Sequence, residues 1–203
     1  MNVLYLLAPN SFGLPSKEYY LNEKVVVSYT AMLEEVAEEL EKESKNEVSL
    51  LSKHFTAKDV VNLEKRLAAA SPDEEVREDI TQYYNPMSLH NVSEMVPRLG
   101  LEHLISHANP DFKPDTIIVG SPHYLKRLNE ILNDTDDRLL LDYLLWKLIQ
   151  TYAQAVDSPV VQPIKRFSNV LGGKDPDAKS ERWRTCLRYV DGGLGESQAT
   201  ASL

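Results

Sequence analysis

The sequence predicts an all-α fold, a mainly helical lobe with at most one or two short strands. Three observations carry that prediction. Apolar residues recur every three to four positions over most of the chain, the spacing that lines one face of a helix. Helix-start signals stand ahead of several of these stretches. β-Branched residues cluster in one place only, Thr116-Ile117-Ile118-Val119.

Taken in order, Val25, Tyr29, Met32, Leu33, Val36 and Leu40 form the first helical stripe. Glu34, Glu35, Glu38, Glu39, Glu41 and Glu43 fall on the other side, so the acidic run reads as the solvated face of that helix. Thr56 and Asp59 have the spacing of a capping box before Val60, Leu63 and Leu67. Ser71-Pro72-Asp73-Glu74 predicts another start, with serine as cap, proline in the first turn and a helix to about Tyr83. Asn85-Pro86 breaks the pattern, and short helices fit 89–96 and 99–107. Thr116–Val119, closed by Gly120, is the strand candidate. Ser121-Pro122 opens a helix through Tyr124, Leu125, Leu128 and Ile131. Residues 139–152 are apolar almost all round, which predicts a helix in the middle of a bundle. Gly172-Gly173 reads as a helix stop, and a last helix covers about 181–190. The residues after Asp191 turn small, polar and glycine-containing, which predicts disorder.

Composition narrows the function classes. A net charge of -9 in 203 residues argues against nucleic acid as a partner, because phosphate contacts need clustered Lys and Arg. No apolar run approaches the roughly 20 residues of a membrane span. Val3–Ala8 is apolar but lacks the basic start of a secretory leader. Cys186 is the one cysteine, so no disulfide can form within the chain. Asn91-Val92-Ser93 and Asn133-Asp134-Thr135 are glycosylation acceptor patterns.

The search for chemistry finds no catalytic residue and no cofactor site. A zinc peptidase needs two histidines one helical turn apart and a glutamate beside the first, which activates the metal-bound water. The five histidines are His54, His90, His103, His107 and His123, and none precedes a glutamate. His103 and His107 share a helix face as a pair of metal-ligand type, but Glu102 lies on the wrong side of His103 and no third ligand is identifiable. They read as a chance pair of surface histidines. Glu75 and Asp79 have E-x-x-x-D spacing and, without a histidine pair, read as solvated acids. Leu171-Gly172-Gly173-Lys174 lacks the length of a phosphate loop. Arg182–Leu187, around Cys186, reads as a buried helix face.

Five local patterns occur in an order that resembles the N-terminal region of the neprilysin and endothelin-converting-enzyme family. They are Gly13-Leu14-Pro15 with Tyr19-Tyr20; Tyr84-Asn85-Pro86 with Met95-Val96-Pro97; Ile117–Leu125; Asp142-Tyr143-Leu144-Leu145-Trp146-Lys147; and Phe167–Gly173 with Arg182-Trp183-Arg184-Thr185-Cys186. The resemblance implies a non-catalytic helical domain over residues 1–195; the tail over 196–203 is expected from its composition to be disordered. It implies a zinc metalloendopeptidase whose H-E-x-x-H helix lies C-terminal to the matched region, so this chain is expected to be inactive alone. The implied partner is the missing catalytic lobe in cis, with peptides as further ligands and zinc in the complete enzyme only. A stand-alone module binding peptides or proteins is the alternative. The resemblance also implies a secreted or membrane-anchored extracellular setting, in which Cys186 is bridged to a cysteine outside this chain and Asn91 and Asn133 are glycosylation candidates.

Overall fold

The computed structural model describes residues 3–43, 56–179, 183–187, 190 and 191. It is mainly helical, with one small sheet. The chain divides into two units: residues 1–26 with 58–141, and residues 27–57 with 142–203. The division falls inside three helices, α1 (Glu23–Glu43), α2 (Ala57–Ala70, at its first residue) and α8 (Asp137–Tyr152).

The first unit is built on three strands, β1 (Leu4–Leu6), β2 (Asn85–Ser88) and β3 (Thr116–Val119), in the order β1-β3-β2. β1 runs parallel to β3 with Leu4 opposite Ile117, and β2 runs antiparallel with Pro86 opposite Ile118. β3 was legible because Ile117, Ile118 and Val119 are all buried, and a strand covered on both faces reads as a continuous apolar run. β1 and β2 were not. Each has half-buried residues alternating with exposed ones over three or four positions, too short for a period to show. Pro86 has no amide to donate, and it is tolerated because β2 is an edge strand.

Ile117 and Val119 pack with Val92, Val96, Leu101, Tyr124 and Leu125 in one core, edged by Leu4, Leu6 and Met87. The helices around it are α5 (Leu89–Met95), α6 (Leu101–Ala108) and α7 (Pro122–Asn133). α7 starts where the sequence placed it: Pro122 stands in the first turn and the Ser121 hydroxyl accepts the Tyr124 amide.

α2 (Ala57–Ala70) carries a polar pair into the interior of the same unit. Glu64 is fully buried and accepts the Tyr20 hydroxyl proton at 2.9 Å. The same oxygen of Tyr20 accepts the Gly13 and Leu14 amides at 3.0 and 3.1 Å. This closes the Gly13–Tyr20 turn onto α2. Burial and the adjacent Glu64 carboxylate push the Tyr20 phenol well above its ordinary range.

The helix expected from Ser71 to Tyr83 is corrected. Ser71 is buried at the end of α2, where its hydroxyl donates to Ala68 O. Asp73 takes the cap position, but its carboxylate pairs with Lys17 instead of the first-turn amides. The following helix breaks at Asp79 into α3 (Glu74–Glu78) and α4 (Ile80–Tyr83), because the Asp79 carboxylate accepts the Thr81 amide and starts a new turn.

The second unit centres on an aromatic cluster. Tyr29 and Trp146 are 0% and 1% exposed, and the indole Nε1 donates to the Tyr29 hydroxyl at 3.1 Å. The Phe167 ring of α9 (Gln162–Leu171) lies 5.6 Å from that of Tyr29. Met32, Leu33 and Val36 bury the stripe of α1, while Glu34, Glu35 and Glu38 stay exposed as expected. α9 stops at Gly172, and Gly173 has φ +68°, the left-handed geometry of a glycine helix terminus.

The expectation for 139–152 is corrected as well. α8 forms, but only Asp142 and Trp146 are buried along it. Leu141, Leu144, Leu148 and Tyr152 are more than half exposed. The predicted disorder after Asp191 lies outside the described residues.

Candidate functional site

His103 and His107 project from α6, and both are exposed. Their ring centres stand 4.0 Å apart, and His107 Nδ1 lies 3.1 Å from the His103 carbonyl oxygen. This is the expected helical pair. Zinc in peptidases of the type the resemblance implies needs three protein ligands and an open position. Among the described residues no group of three or more His, Cys, Asp or Glu side chains is arranged to hold a metal ion. The donor set offered by α6 therefore does not fit a catalytic zinc.

Glu75 and Asp79 do not share a helix face, because α3 ends at Glu78. Asp79 spends its carboxylate on Thr81 and Gln82, and those hydrogen bonds hold it below the usual carboxylate range. Cys186 is exposed with a free thiol. The expectation of a buried face there is corrected: Trp183 and Leu187 are also exposed, and Thr185 is the buried residue. Asn91 on α5 and Asn133 at the end of α7 are both exposed.

Sequence reasoning missed two grooves. In the first unit a cleft of about 590 Å³ opens beyond the ends of β1 and β3, lined in part by Tyr5, Leu7, Val76, Arg77, Tyr83 and Ser121. Arg77 is its strut. The guanidinium donates to Pro9 O and Pro72 O at 2.9 and 3.1 Å and bonds the Asn10 side chain. In the second unit a more polar cleft of about 720 Å³ is lined by Lys165, Ser168, Asn169, Lys174 and Asp177 among others. The Asn169 amide spans its floor, donating to Pro176 O and Ala178 O. Neither cleft is lined by a histidine or cysteine among the described residues. No spacing announces the first cleft, because its walls come from segments far apart in sequence.

Comparison with known proteins agrees with the resemblance read from the residues. The family model Peptidase_M13_N, described as Peptidase family M13, matches residues 1–200. Membrane metallo-endopeptidase-like 1 of Mus musculus is 26% identical over 205 residues, covering 95% of this chain and 26% of that protein. An endothelin-converting enzyme homolog of Locusta migratoria is 26% identical over 90% of this chain and 26% of its own length. Endothelin-converting enzyme 1 of Cavia porcellus is 24% identical over 92% of this chain and 25% of its length. The chain thus spans about a quarter of the curated relatives it matches. In structure it is similar to the zinc metalloprotease Zmp1 of Mycobacterium tuberculosis in its open state, with a TM-score of 0.73 at 20% identity over 95% of this chain and 29% of that one. That likeness concerns the fold.

Proposed function

Because the chain belongs to peptidase family M13, we propose that it forms the N-terminal helical lobe of a neprilysin-like zinc metalloendopeptidase and serves proteolysis by framing the reaction chamber. The observation that carries this reading is the family match over residues 1–200, in a sequence whose five histidines include none followed by glutamate. The zinc and the catalytic glutamate then belong to a companion lobe, in cis in a full-length enzyme. This chain supplies walls that position peptides and exclude water.

The homogeneous chain, loaded with zinc and given a quenched fluorescent peptide, is expected to show no chelator-sensitive cleavage. Metal analysis of the same sample should find far less than one zinc per chain. Turnover abolished by a chelator and restored by zinc would overturn the reading.

The relatives named for membrane metallo-endopeptidase and endothelin-converting activity support an extracellular setting. In it Cys186 pairs with a cysteine outside this chain. Expressed with a secretory leader in a eukaryotic cell, the chain should carry glycans at Asn91 and Asn133. Two steps of mobility shift are expected, one removed by Asn91→Gln and one by Asn133→Gln. A secreted chain with no shift would count against this setting.

A further inference from the structure

α6 has an anchored side and a free side. Leu101 is buried in the core of the first unit and Ile105 packs against that core, so one face of the helix is fixed. His103 and His107 each stand two positions further on, about 200° around a helix of 3.6 residues per turn. Both are exposed. Residues four apart are neighbours on a helix surface, and here the two ring centres lie 4.0 Å apart with the planes tilted by 49°.

Geometry also fixes which nitrogen of His107 carries the hydrogen. Its Nδ1 lies 3.1 Å from the His103 carbonyl oxygen. A carbonyl oxygen only accepts, so Nδ1 is the donor, and in the neutral ring Nε2 keeps its lone pair. An Nδ1–H given to a backbone carbonyl is the common support of a metal-binding histidine, because it fixes both the tautomer and the ring orientation. His103 is exposed and can turn its own ring to match. Bonds from a metal ion to ring nitrogens are about 2 Å long, so two rings at this separation can share one ion.

We propose that His103 and His107 form a surface site for one divalent transition-metal ion, copper(II) foremost. Imidazole suits copper, nickel and zinc, and copper(II) stands highest in affinity among the divalent first-row ions. Two nitrogens, with water oxygens in the remaining positions, meet the tetragonal geometry that copper(II) prefers. The net charge of -9 favours a cation at the surface of this chain. Among the described residues no third side chain joins the pair, so the ion is held by two protein ligands and exchanges readily. The inference goes beyond the proposed function and does not rest on it: it assigns a bound ion to α6 and no step of peptide cleavage.

The test uses the full chain without an affinity tag, stripped of metal, and copper(II) alone as the probe in a non-chelating buffer. Equilibrium dialysis is expected to load one copper per chain, and the electron paramagnetic resonance spectrum should carry the splitting of two ring nitrogens. His103→Gln and His107→Gln should each weaken binding by roughly tenfold or more. His107→Gln combined with Leu104→His keeps the histidine count at five but sets the pair at adjacent positions, which do not face each other on a helix. That variant should bind no better than His107→Gln alone. His90→Gln, which removes the histidine paired with Glu94, should leave binding unchanged. All four positions are exposed, so each variant should keep the wild-type helical circular dichroism. Absence of copper at one per chain under excess metal overturns the proposal. So does binding that His107→Gln leaves intact, that Leu104→His restores, or that His90→Gln removes. None of these outcomes touches the proposed function, whose test is peptide cleavage.

Discussion

Trp146→Ala is expected to destabilise the second unit by about 3–5 kcal/mol, the usual cost of emptying a buried aromatic site. Trp146 is 1% exposed, its ring meets Tyr29 edge-on at 6.3 Å, and its Nε1 donates to the Tyr29 hydroxyl. The substitution removes the largest fully buried side chain, together with the donor that Tyr29 receives. For a chain of this size the melting temperature should fall by on the order of 10 °C. Trp146→Phe keeps much of the packing but loses the donor and part of the buried ring volume, so its cost should be smaller, about 1–3 kcal/mol. Thermal unfolding followed by circular dichroism separates the two. A Trp146→Ala melt within 2 °C of wild type would show that this cluster does not hold the unit.

The second large effect belongs to Tyr20→Phe. The Tyr20 hydroxyl gives its proton to Glu64 and accepts two backbone amides, so one oxygen serves three partners. Phenylalanine fills the same space and withdraws all three bonds. Buried polar groups that lose a partner incur their desolvation penalty, and a loss of about 2–4 kcal/mol is expected near neutral pH. The pH dependence follows from the raised Tyr20 pKa. Above pH ~10 the unfolded tyrosine releases its proton while the folded one keeps it. The unfolded state then binds fewer protons, so wild-type stability falls as pH rises, by about 1.4 kcal/mol per unit from this group. Tyr20→Phe lacks that slope, and the gap between the two proteins should narrow above pH ~10. Urea titrations at pH 7 and pH 10.5 measure it; a gap of constant size would sink the linkage.

Most helices were legible because their stripes are long. α1 shows its period through Tyr29, Met32, Leu33 and Val36, and α7 through Ser121, Pro122, Tyr124 and Leu125. The errors have a common origin in contacts between distant residues. Asp73 reads locally as part of a capped start, but Lys17, across the first unit, claims its carboxylate. Asp79 reads as one acid of a spaced pair and instead caps its own short helix. β1 acquires its identity only by lying beside β3. For the site, sequence reasoning could exclude a catalytic zinc motif and could place the His103/His107 pair on one helix face. It could not see that α8 leaves Leu144 and Leu148 exposed, because periodicity reports that a helix is apolar and says nothing of how many of its faces find a neighbour.

The parallel pairing of Leu4 with Ile117 also sets a schedule for biosynthesis. β1 leaves the ribosome well before its partner, which follows more than a hundred residues later. At about 5–20 residues per second that is an interval of roughly 6–20 s. During it Leu4 and Leu6 have no native strand to join, and a lone apolar strand invites pairing with other chains. Chaperone capture of the nascent β1 segment, released once Val119 emerges, is the demand this topology places on the cell that makes it.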